Sequence, residues 1–459
     1  MSLEVIRNKK PPRLRKIKFN LPEVIKFKLD NNLQVYFIQK STLPLLSMSL
    51  VTEAGSKYDP AGKKGLTNLL AMAVDEGAGD YDSLQLSDQF EILGASFSIS
   101  CDQDSVYFSL QVLKDEFERG LELFSTILID SHLYEADLSR EKRKIKTRIL
   151  QTSDEADEIA NEVFEYKLFG NNNPYAYPTI GYSDDIDSIS LQDIKDFYNH
   201  FIVPENSFLV VTGDYETESL KNILNKYFRT WSRSYITKPR ITDADIEQPG
   251  LYIIDKKDSV QSEIRTGLIS YKRNDYDFYA RSILNLILGG QFSSRLNLNL
   301  REHKGFTYGV YSRFIYLMSS AYLFVSTSVS SENTGAALTE IFKEIKKIRN
   351  GITKKELEFA KSSLIRKFPS SFESYRQIAS NVIGQIIHTM PEDYFETYID
   401  EIKKVTRERI IKAAEDNLFP DKLTTVIVGS KEKTAAQLKD IYQGEIIELD
   451  EKGSSLQSL

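Results

Sequence analysis

A helix followed by a buried strand occurs twice along the chain, a little over two hundred residues apart. The first copy starts at Ile189 and reads ISLQDIKDFYNHFIVPENSFLVVTGD, and the second starts at Val405 and reads VTRERIIKAAEDNLFPDKLTTVIVGS. In each copy a Ser or Thr precedes the helical pattern as an N-cap, a Pro follows the helix, and an apolar strand ends at Gly213 or Gly429. A repeat of this length predicts a chain built from two similar halves.

A second pair of segments repeats with nearly the same offset. After Leu93-Gly94 come two strand-like runs and an amphipathic helix, with apolar positions at Val106, Phe108, Leu110 and Val112 and then at Leu113, Phe117, Leu121 and Phe124. After Gly305 come strands around 308–314 and 323–329 and a helix whose apolar face holds Leu338, Ile341, Ile345 and Ile348. Strands separated by helices predict an α+β fold in which each half is a mainly antiparallel sheet with helices packed on one face.

The boundaries of the two halves follow from the repeat. We predict a basic N-terminal segment at 1–19, a first half at 20–232, a linker at 233–249, a second half at 250–445 and a tail at 446–459. The linker is assigned because the stretch from Trp231 to Gly250 shows no sustained apolar period.

Composition excludes some classes of function. The chain has 459 residues and a formal net charge of -7, so no positive field exists to attract nucleic acid. No apolar stretch approaches 18 residues, so no membrane span is expected. The N-terminus lacks the apolar run of a signal peptide, which favours the cytoplasm, and a periplasmic location stays open if a leader was removed.

Residues for independent catalysis are scarce. None of the four histidines, His132, His200, His303 and His388, lies four residues from another, and each is interpreted as a surface or capping residue. No GxSxG or GxxxxGK[ST] motif occurs, and the carboxylates form no paired signature. The lone Cys101 is interpreted as a buried, inert thiol.

One stretch nevertheless resembles a known metal site. Residues 54–100, AGSKYDPAGKKGLTNLLAMAVDEGAGDYDSLQLSDQFEILGASFSIS, resemble the region around the inverted zinc motif HxxEH of the insulinase-like (processing-peptidase) metallopeptidases. In that family two histidines bind zinc, the glutamate between them activates water, and a second glutamate some 76 residues later completes the metal shell. The matching positions here are Asn68, Ala71, Met72 and Arg148.

These four residues cannot hold a catalytic zinc ion. Leu66, Leu69, Leu70 and Ala73 form one apolar face, which leaves Asn68, Ala71 and Met72 on another face of the same helix. Zinc requires imidazole, thiolate or carboxylate ligands, and Arg148 would repel a dication. The site is therefore predicted to bind no metal, and Asn68 and Met72 are open to interpretation as residues that only line a cleft.

A second stretch matches the same family in its other half. Residues 287–314, ILGGQFSSRLNLNLREHKGFTYGVYSRF, resemble the segment in which an arginine and a tyrosine reach across the cavity to the substrate backbone. The matching residues are Arg301, expected near the end of a helix, and Tyr308, expected on the next strand. A guanidinium and a phenol are suitable donors for an oxyanion. The alternative is that Arg301 pairs with Glu302 and that Tyr308 is half-buried in the sheet.

The resemblance implies a division of labour between two chains. In this interpretation the chain is not an enzyme on its own: it forms a heterodimer with a zinc-bearing homologous subunit, and binds and orients short or unfolded peptides in a cavity between the subunits. Zinc is expected only in the partner, and the isolated chain is expected to form a homodimer if it associates. The alternative function is a structural scaffold in a larger assembly, with no role in proteolysis.

Overall fold

The chain folds into two halves, each built around one large β-sheet. A computed structural model describes residues 23–232, 236–241 and 249–458, so the predicted segment 1–19 and most of the predicted linker lie outside the described residues. Within these ranges, no helix is both long enough and apolar enough to cross a bilayer.

The first sheet has six strands: β1 Val24–Lys28, β2 Gln34–Gln39, β3 Leu45–Thr52, β6 Ser96–Cys101, β7 Val106–Leu113 and β8 Ser207–Gly213. Their spatial order is β1-β2-β8-β3-β7-β6, and every neighbouring pair is antiparallel except β2 with β8. Two short strands, β4 Gly77–Ala78 and β5 Tyr81–Asp82, form a separate hairpin.

Most helices of the first half pack on one face of this sheet. The helices of this half are α1 Leu66–Ala73, α2 Ser83–Ile92, α3 Phe117–Ile129, α4 Glu135–Thr152, α5 Ala156–Phe169, α6 Ser183–Ser188, α7 Leu191–Phe201 and α8 Thr217–Phe228. The alternating apolar residues of β7 are buried in the shared core, as predicted. Leu113 departs from the prediction: it ends β7 and is 47% exposed, because α3 begins only at Phe117.

The second sheet has seven strands: β9 Leu251–Asp255, β10 Gln261–Ile269, β11 Val310–Tyr316, β12 Ala321–Ser330, β13 Thr424–Gly429, β14 Ile446–Leu449 and β15 Ser455–Ser458. Their order is β11-β12-β10-β13-β9-β14-β15, and only β9 pairs in parallel, with β13 and β14. The helices of the second half are α9 Phe278–Leu288, α10 Thr334–Arg349, α11 Lys354–Lys367, α12 Tyr375–Ile387, α13 Tyr394–Lys404, α14 Arg407–Asn417 and α15 Lys431–Ile441.

The two sheets share one strand order. From one edge to the other, β6-β7-β3-β8-β2-β1 corresponds to β11-β12-β10-β13-β9-β14, and the strand directions agree except at the last strand, where β1 is antiparallel to β2 and β14 is parallel to β9. The predicted N-caps are also equivalent, since the side chain of Ser190 accepts a hydrogen bond from the backbone of Asp193 and that of Thr406 accepts one from Arg409, each at 3.2 Å. The internal duplication is thereby confirmed in the fold.

One helix from each half crosses to the other sheet. Helix α5, from the first half, packs on β10 and β13 through an apolar cluster that includes Phe164. Helix α12, from the second half, packs on β3 and β8 of the first sheet. Each sheet thus has the helices of its own half mainly on one face, as expected, and an exchanged helix over part of its other face.

A buried carboxylate also joins the halves. One oxygen of Asp104, in the β6–β7 turn, accepts hydrogen bonds from Lys57 at 2.9 Å and from the hydroxyl of Tyr175 at 2.6 Å. Its other oxygen accepts a bond from the backbone N–H of Met318, in the β11–β12 turn, at 2.9 Å. The turns that follow the two edge strands are therefore held against each other.

The C-terminal residues were expected to form a tail, but they extend the second sheet. Strand β14 takes the place beside β9 that β1 takes beside β2, and β15 pairs with β14. Ile446 and Leu449 of β14 are buried and join the cores of the second half, which explains this placement.

Candidate functional site

The first turn of α1, the helix that matches the family's metal site, is held by hydrogen bonds to a buried carboxylate. The Asp59 carboxylate accepts hydrogen bonds from the backbone N–H of Gly65 at 2.8 Å and from the N–H and hydroxyl of Thr67 at 3.0 and 2.6 Å. Burial raises the pKa of Asp59 to about 6 despite these bonds. Gly65 adopts a φ of 94°, which favours glycine, and this turn fixes the direction in which α1 leaves the loop.

The predicted faces of α1 are largely present. The apolar face formed by Leu66, Leu69, Leu70 and Ala73 is buried. Asn68 and Met72 are partly exposed, one turn apart on the same side. Ala71 differs from them, because it is buried at 7% exposure and packs into the protein.

Asn68 lies at the end of the edge strand β6. Its side-chain oxygen is 3.9 Å from the Cys101 sulfur, close enough for a weak S–H hydrogen bond. Burial raises the pKa of the Cys101 thiol to about 12, so this cysteine is protonated at neutral pH and a poor nucleophile. Its environment agrees with the interpretation of Cys101 as an inert residue.

Helix α4 brings Arg148 alongside α1. Near the start of α4, Arg140 forms an ion pair with Glu76, which lies just beyond the end of α1. Farther along α4, Lys146 forms an ion pair at 2.5 Å with Asp187, which belongs to the segment packed against the start of α1. The two helices therefore run antiparallel, and Arg148 lies beside the first half of α1. Arg148 is exposed, and its side chain forms no hydrogen bond or ion pair within the described part of the chain.

Metal-binding groups are not assembled here or elsewhere in the described ranges. No group of three or more His, Cys, Asp or Glu side chains is placed to hold an ion among these residues. His132 and His200 bond the backbone oxygens of Gly79 and Thr237, and His303 is exposed. His388 ends α12 beside a cavity, where burial lowers its pKa to about 4 and keeps the ring neutral.

Arg301 and Tyr308 lie in one well-braced segment of the second half. Arg301 is in the last turn of a π-helical stretch, Asn297–His303, and Tyr308 precedes β11 by two residues instead of lying on the strand. The phenol of Tyr308 is 95% exposed, so it is not half-buried in the sheet. The Arg301 guanidinium stacks 4.0 Å from the ring centre of Phe292 and is 3.8 Å from the Glu302 carboxylate.

The backbone around this pair is fixed by side chains on either side. Asn297 donates to the carbonyl of Val310 at 2.6 Å and accepts from its N–H at 3.2 Å. The hydroxyl of Thr307 accepts the N–H of Gly309 at 3.1 Å and contacts the hydroxyl of Thr327 at 3.0 Å. No hydrogen bond or ion pair joins Arg301 or Tyr308 to the α1 residues within the part of the chain that is described.

A polar cavity between the first sheet and α12 escaped the sequence-based prediction. It is open to solvent on one side, has a volume of about 470 Å³, and is lined by serines of β3, β6 and β7, by Arg376, Ser380 and Gly384 of α12, and by Asp102 and His388. The alternating serines of β6, at Ser96, Ser98 and Ser100, are the signal that could have revealed a polar sheet face. The covering helix could not be inferred, because it comes from the other half.

Comparison with known proteins assigns the family. The model described as "Insulinase (Peptidase family M16)" matches residues 35–181, and the model described as "Peptidase M16 inactive domain" matches residues 188–364. The chain belongs to peptidase family M16. The two M16 matches together cover most of both halves, in agreement with the resemblance seen in the sequence.

Among M16 relatives, two are named as lacking peptidase activity. The "Non-peptidase homolog YmxG" of Helicobacter pylori is 23% identical over 407 residues, covering 87% of this chain and 92% of that protein. The "Probable inactive metalloprotease YmfF" of Bacillus subtilis is 26% identical over 314 residues, covering 66% of this chain and 72% of that protein. These names and the inactive-domain match support an inactive M16 homologue.

Solved structures share the fold. The "peptidase M16 inactive domain from Pseudomonas fluorescens" superposes with a TM-score of 0.83 at 25% identity, over 89% of this chain and 98% of that one. A protease from Helicobacter pylori gives the same TM-score at 20% identity, over 89% of this chain and 100% of that one. The two-half M16 architecture is thereby confirmed.

Proposed function

We propose that this chain is the non-catalytic subunit of a two-subunit zinc metallopeptidase of family M16. It binds an extended peptide and orients it for a zinc-bearing homologous partner, which supplies the metal and the attacking water. The chain itself binds no zinc, and in the absence of the partner it associates, if at all, as a homodimer.

The exposure of Tyr308 is the observation that carries this proposal. A tyrosine that is 95% exposed on a braced backbone contributes little to the stability of its own chain. Phe292 and Tyr311, each 65% exposed, lie in the same stretch of sequence beside Arg301. Aromatic residues and arginine are enriched at the energetic centres of protein interfaces, so this surface suits contact with a partner or a peptide.

A free sheet edge supplies a mode of binding. Among the described strands, β6 lies at the edge of the first sheet and pairs only with β7, so it presents backbone groups along its other side. An extended peptide can add to such an edge through main-chain hydrogen bonds. This mode suits short or unfolded peptides, because a folded segment cannot offer its backbone.

We expect activity only after mixing the chain with a zinc-bearing M16 homologue from the same genome, measured as hydrolysis of a quenched fluorescent peptide. Arg301→Ala and Tyr308→Phe should each lower turnover at least tenfold, because each removes a donor to the developing oxyanion, worth about 2.7–4 kcal/mol. Size-exclusion chromatography should show the complex intact in both variants.

Tyr276→Phe is the matched control, since Tyr276 is 77% exposed and precedes α9, away from the Arg301 segment in sequence. It should leave turnover unchanged. Unchanged turnover in the Arg301 and Tyr308 variants would instead favour the scaffold function, in which neither donor has a task.

A further inference from the structure

The cavity under α12 is an open groove that runs beside the free edge of the first sheet. Because α12 packs on β3 and β8, it leaves the same face of β7 and β6 uncovered. The strand register aligns small polar side chains across the floor of this groove. One row holds Ser98, Ser109 and Ser49, and the next holds Ser96, Gln111 and Ser47.

The groove extends to the free edge of β6, where a peptide could pair as an additional strand. Along β6, Phe97, Ile99 and Cys101 pack against the core, whereas Ser96, Ser98 and Ser100 lie on the opposite face. A peptide paired with β6 extends both faces of the sheet, because side chains alternate along every strand. Every second side chain of that peptide would therefore enter the groove.

The two ends of the groove differ in charge. Arg376, in the first turn of α12, is exposed and lines the cavity, and its side chain has no hydrogen bond or ion pair among the described residues. At the other end Asp102 is occupied within its own turn, accepting from Asp104 N–H at 2.7 Å, Ser105 N–H at 2.8 Å and the Tyr107 hydroxyl at 2.8 Å. Asp104, which also lines the cavity, is paired with Lys57 and the Tyr175 hydroxyl, so the charge available in the groove is the guanidinium.

We propose that this groove is a subsite for an acidic side chain of a peptide bound along β6, with Arg376 as the partner of the Asp or Glu carboxylate. The serine hydroxyls of the floor donate further hydrogen bonds, and Asp102 excludes the carboxylate from the far end by like-charge repulsion. The subsite rests on the proposed peptide-binding function and gives it a preference for acidic sequences.

The test measures binding of three fluorescein-labelled nine-residue peptides to the full chain by fluorescence anisotropy. Each alternates threonine and valine and carries Glu, Gln or Lys at the fifth position. We expect the Glu peptide to bind at least tenfold more tightly than the Gln peptide, because a charged, bidentate arginine contact replaces a neutral one. Arg376→Ala should abolish this difference while leaving the affinity for the Gln peptide unchanged, and Arg376→Glu should make the Lys peptide the tightest.

Arg366→Ala is the matched control, because Arg366 is exposed at the end of α11 and does not line the groove. It should keep the preference for Glu. If all three peptides bind the unmodified chain equally, the acidic subsite is wrong while peptide binding stands. If none of them binds, both the subsite and the proposed peptide-binding function are wrong.

A second variant tests the location of the subsite. Ser98→Phe places a ring on the exposed face of β6, in the middle of the groove floor, without touching the core. It should remove the preference for Glu, with the thermal unfolding midpoint unchanged. A preference that survives Ser98→Phe would place the acidic contact elsewhere and overturn the proposal.

Discussion

Single residues decide whether the first half can hold a metal. Asn68 and Met72 are one turn apart on the exposed side of α1, with the geometry of a chelating pair but without imidazole. The antiparallel packing of α1 and α4 brings Arg148 to the same region, where it adds positive charge. A glutamate and two histidines at these positions would supply three ligands, whereas the present residues supply one weak amide oxygen.

We therefore expect no stoichiometric zinc in the purified chain after dialysis against micromolar zinc, measured by elemental analysis. The matched variant restores the three ligand types together, as Asn68→His, Met72→His and Arg148→Glu, and should gain close to one zinc per chain. One tightly bound zinc in the unmodified chain would contradict the prediction, and a variant without zinc would show that the three positions do not converge.

At the residue scale, a short motif predicts the role of Arg301 and Tyr308, and that role stays a prediction. The strand position expected for Tyr308 is wrong, because the Thr307–Gly309 turn delays β11 until Val310. Ala71 was assigned to the open face of α1, although its small side chain lets the neighbouring structure close over it.

At the scale of elements, the two exchanged helices meet very different surfaces. Helix α5 is held by an apolar cluster in which Phe164 contacts Tyr322 and Phe324, whereas α12 faces a partly polar sheet across a cavity. The amphipathic pattern of each helix was visible in the sequence, but not the sheet that each one covers. A hydrophobic face shows that a helix packs against something, but it does not show which sheet, because that sheet can lie two hundred residues away in the sequence.

The acidic side of α5 should make stability depend on pH. Burial, and then the neighbouring Glu158 and Glu165, raise the pKa of Glu162 from 4.5 to about 7. The folded chain holds this proton where the unfolded chain has lost it, so the contribution of Glu162 to stability falls as the pH rises from about 4.5 to about 7. Glu162→Gln should raise the thermal unfolding midpoint at pH 8 and change it little at pH 5.

Glu332→Gln is a suitable comparison, since Glu332 is exposed in the turn before α10. It should leave the midpoint unchanged at both pH values. Equal midpoints for the Glu162 variant and the unmodified chain at pH 8 would mean that the carboxylate ionises without penalty.

At the scale of the whole molecule, the exchange makes each half depend on the other. Without α12, fully buried residues of the first sheet such as Ile38 and Val210 would face water, at about 1.5–3 kcal/mol for each large side chain. Without α5, the second sheet would lose the cover over Phe324 and Val426. The repeat in the sequence predicted two units, yet it could not show that neither unit is complete.

Fragments 1–240 and 241–459 should therefore not fold when produced separately, and should assemble when produced together. Near-UV circular dichroism and thermal unfolding provide the measurement, with a cooperative transition expected only for the mixture. A cooperative transition in either fragment alone would show that its own helices suffice to cover its sheet.

The polar face beneath α12 also bears on the order in which the protein is made. Helix α5 leaves the ribosome before the second sheet, so the helix that covers this sheet is already present when the sheet forms. The first sheet is complete at Gly213, but α12 ends only at Ile387, a wait of roughly 9 to 35 seconds at 5–20 residues per second. Serines on β3, β6 and β7 keep much of this sheet face hydrated until α12 is synthesised. The polar groove therefore reduces the risk that the nascent chain aggregates.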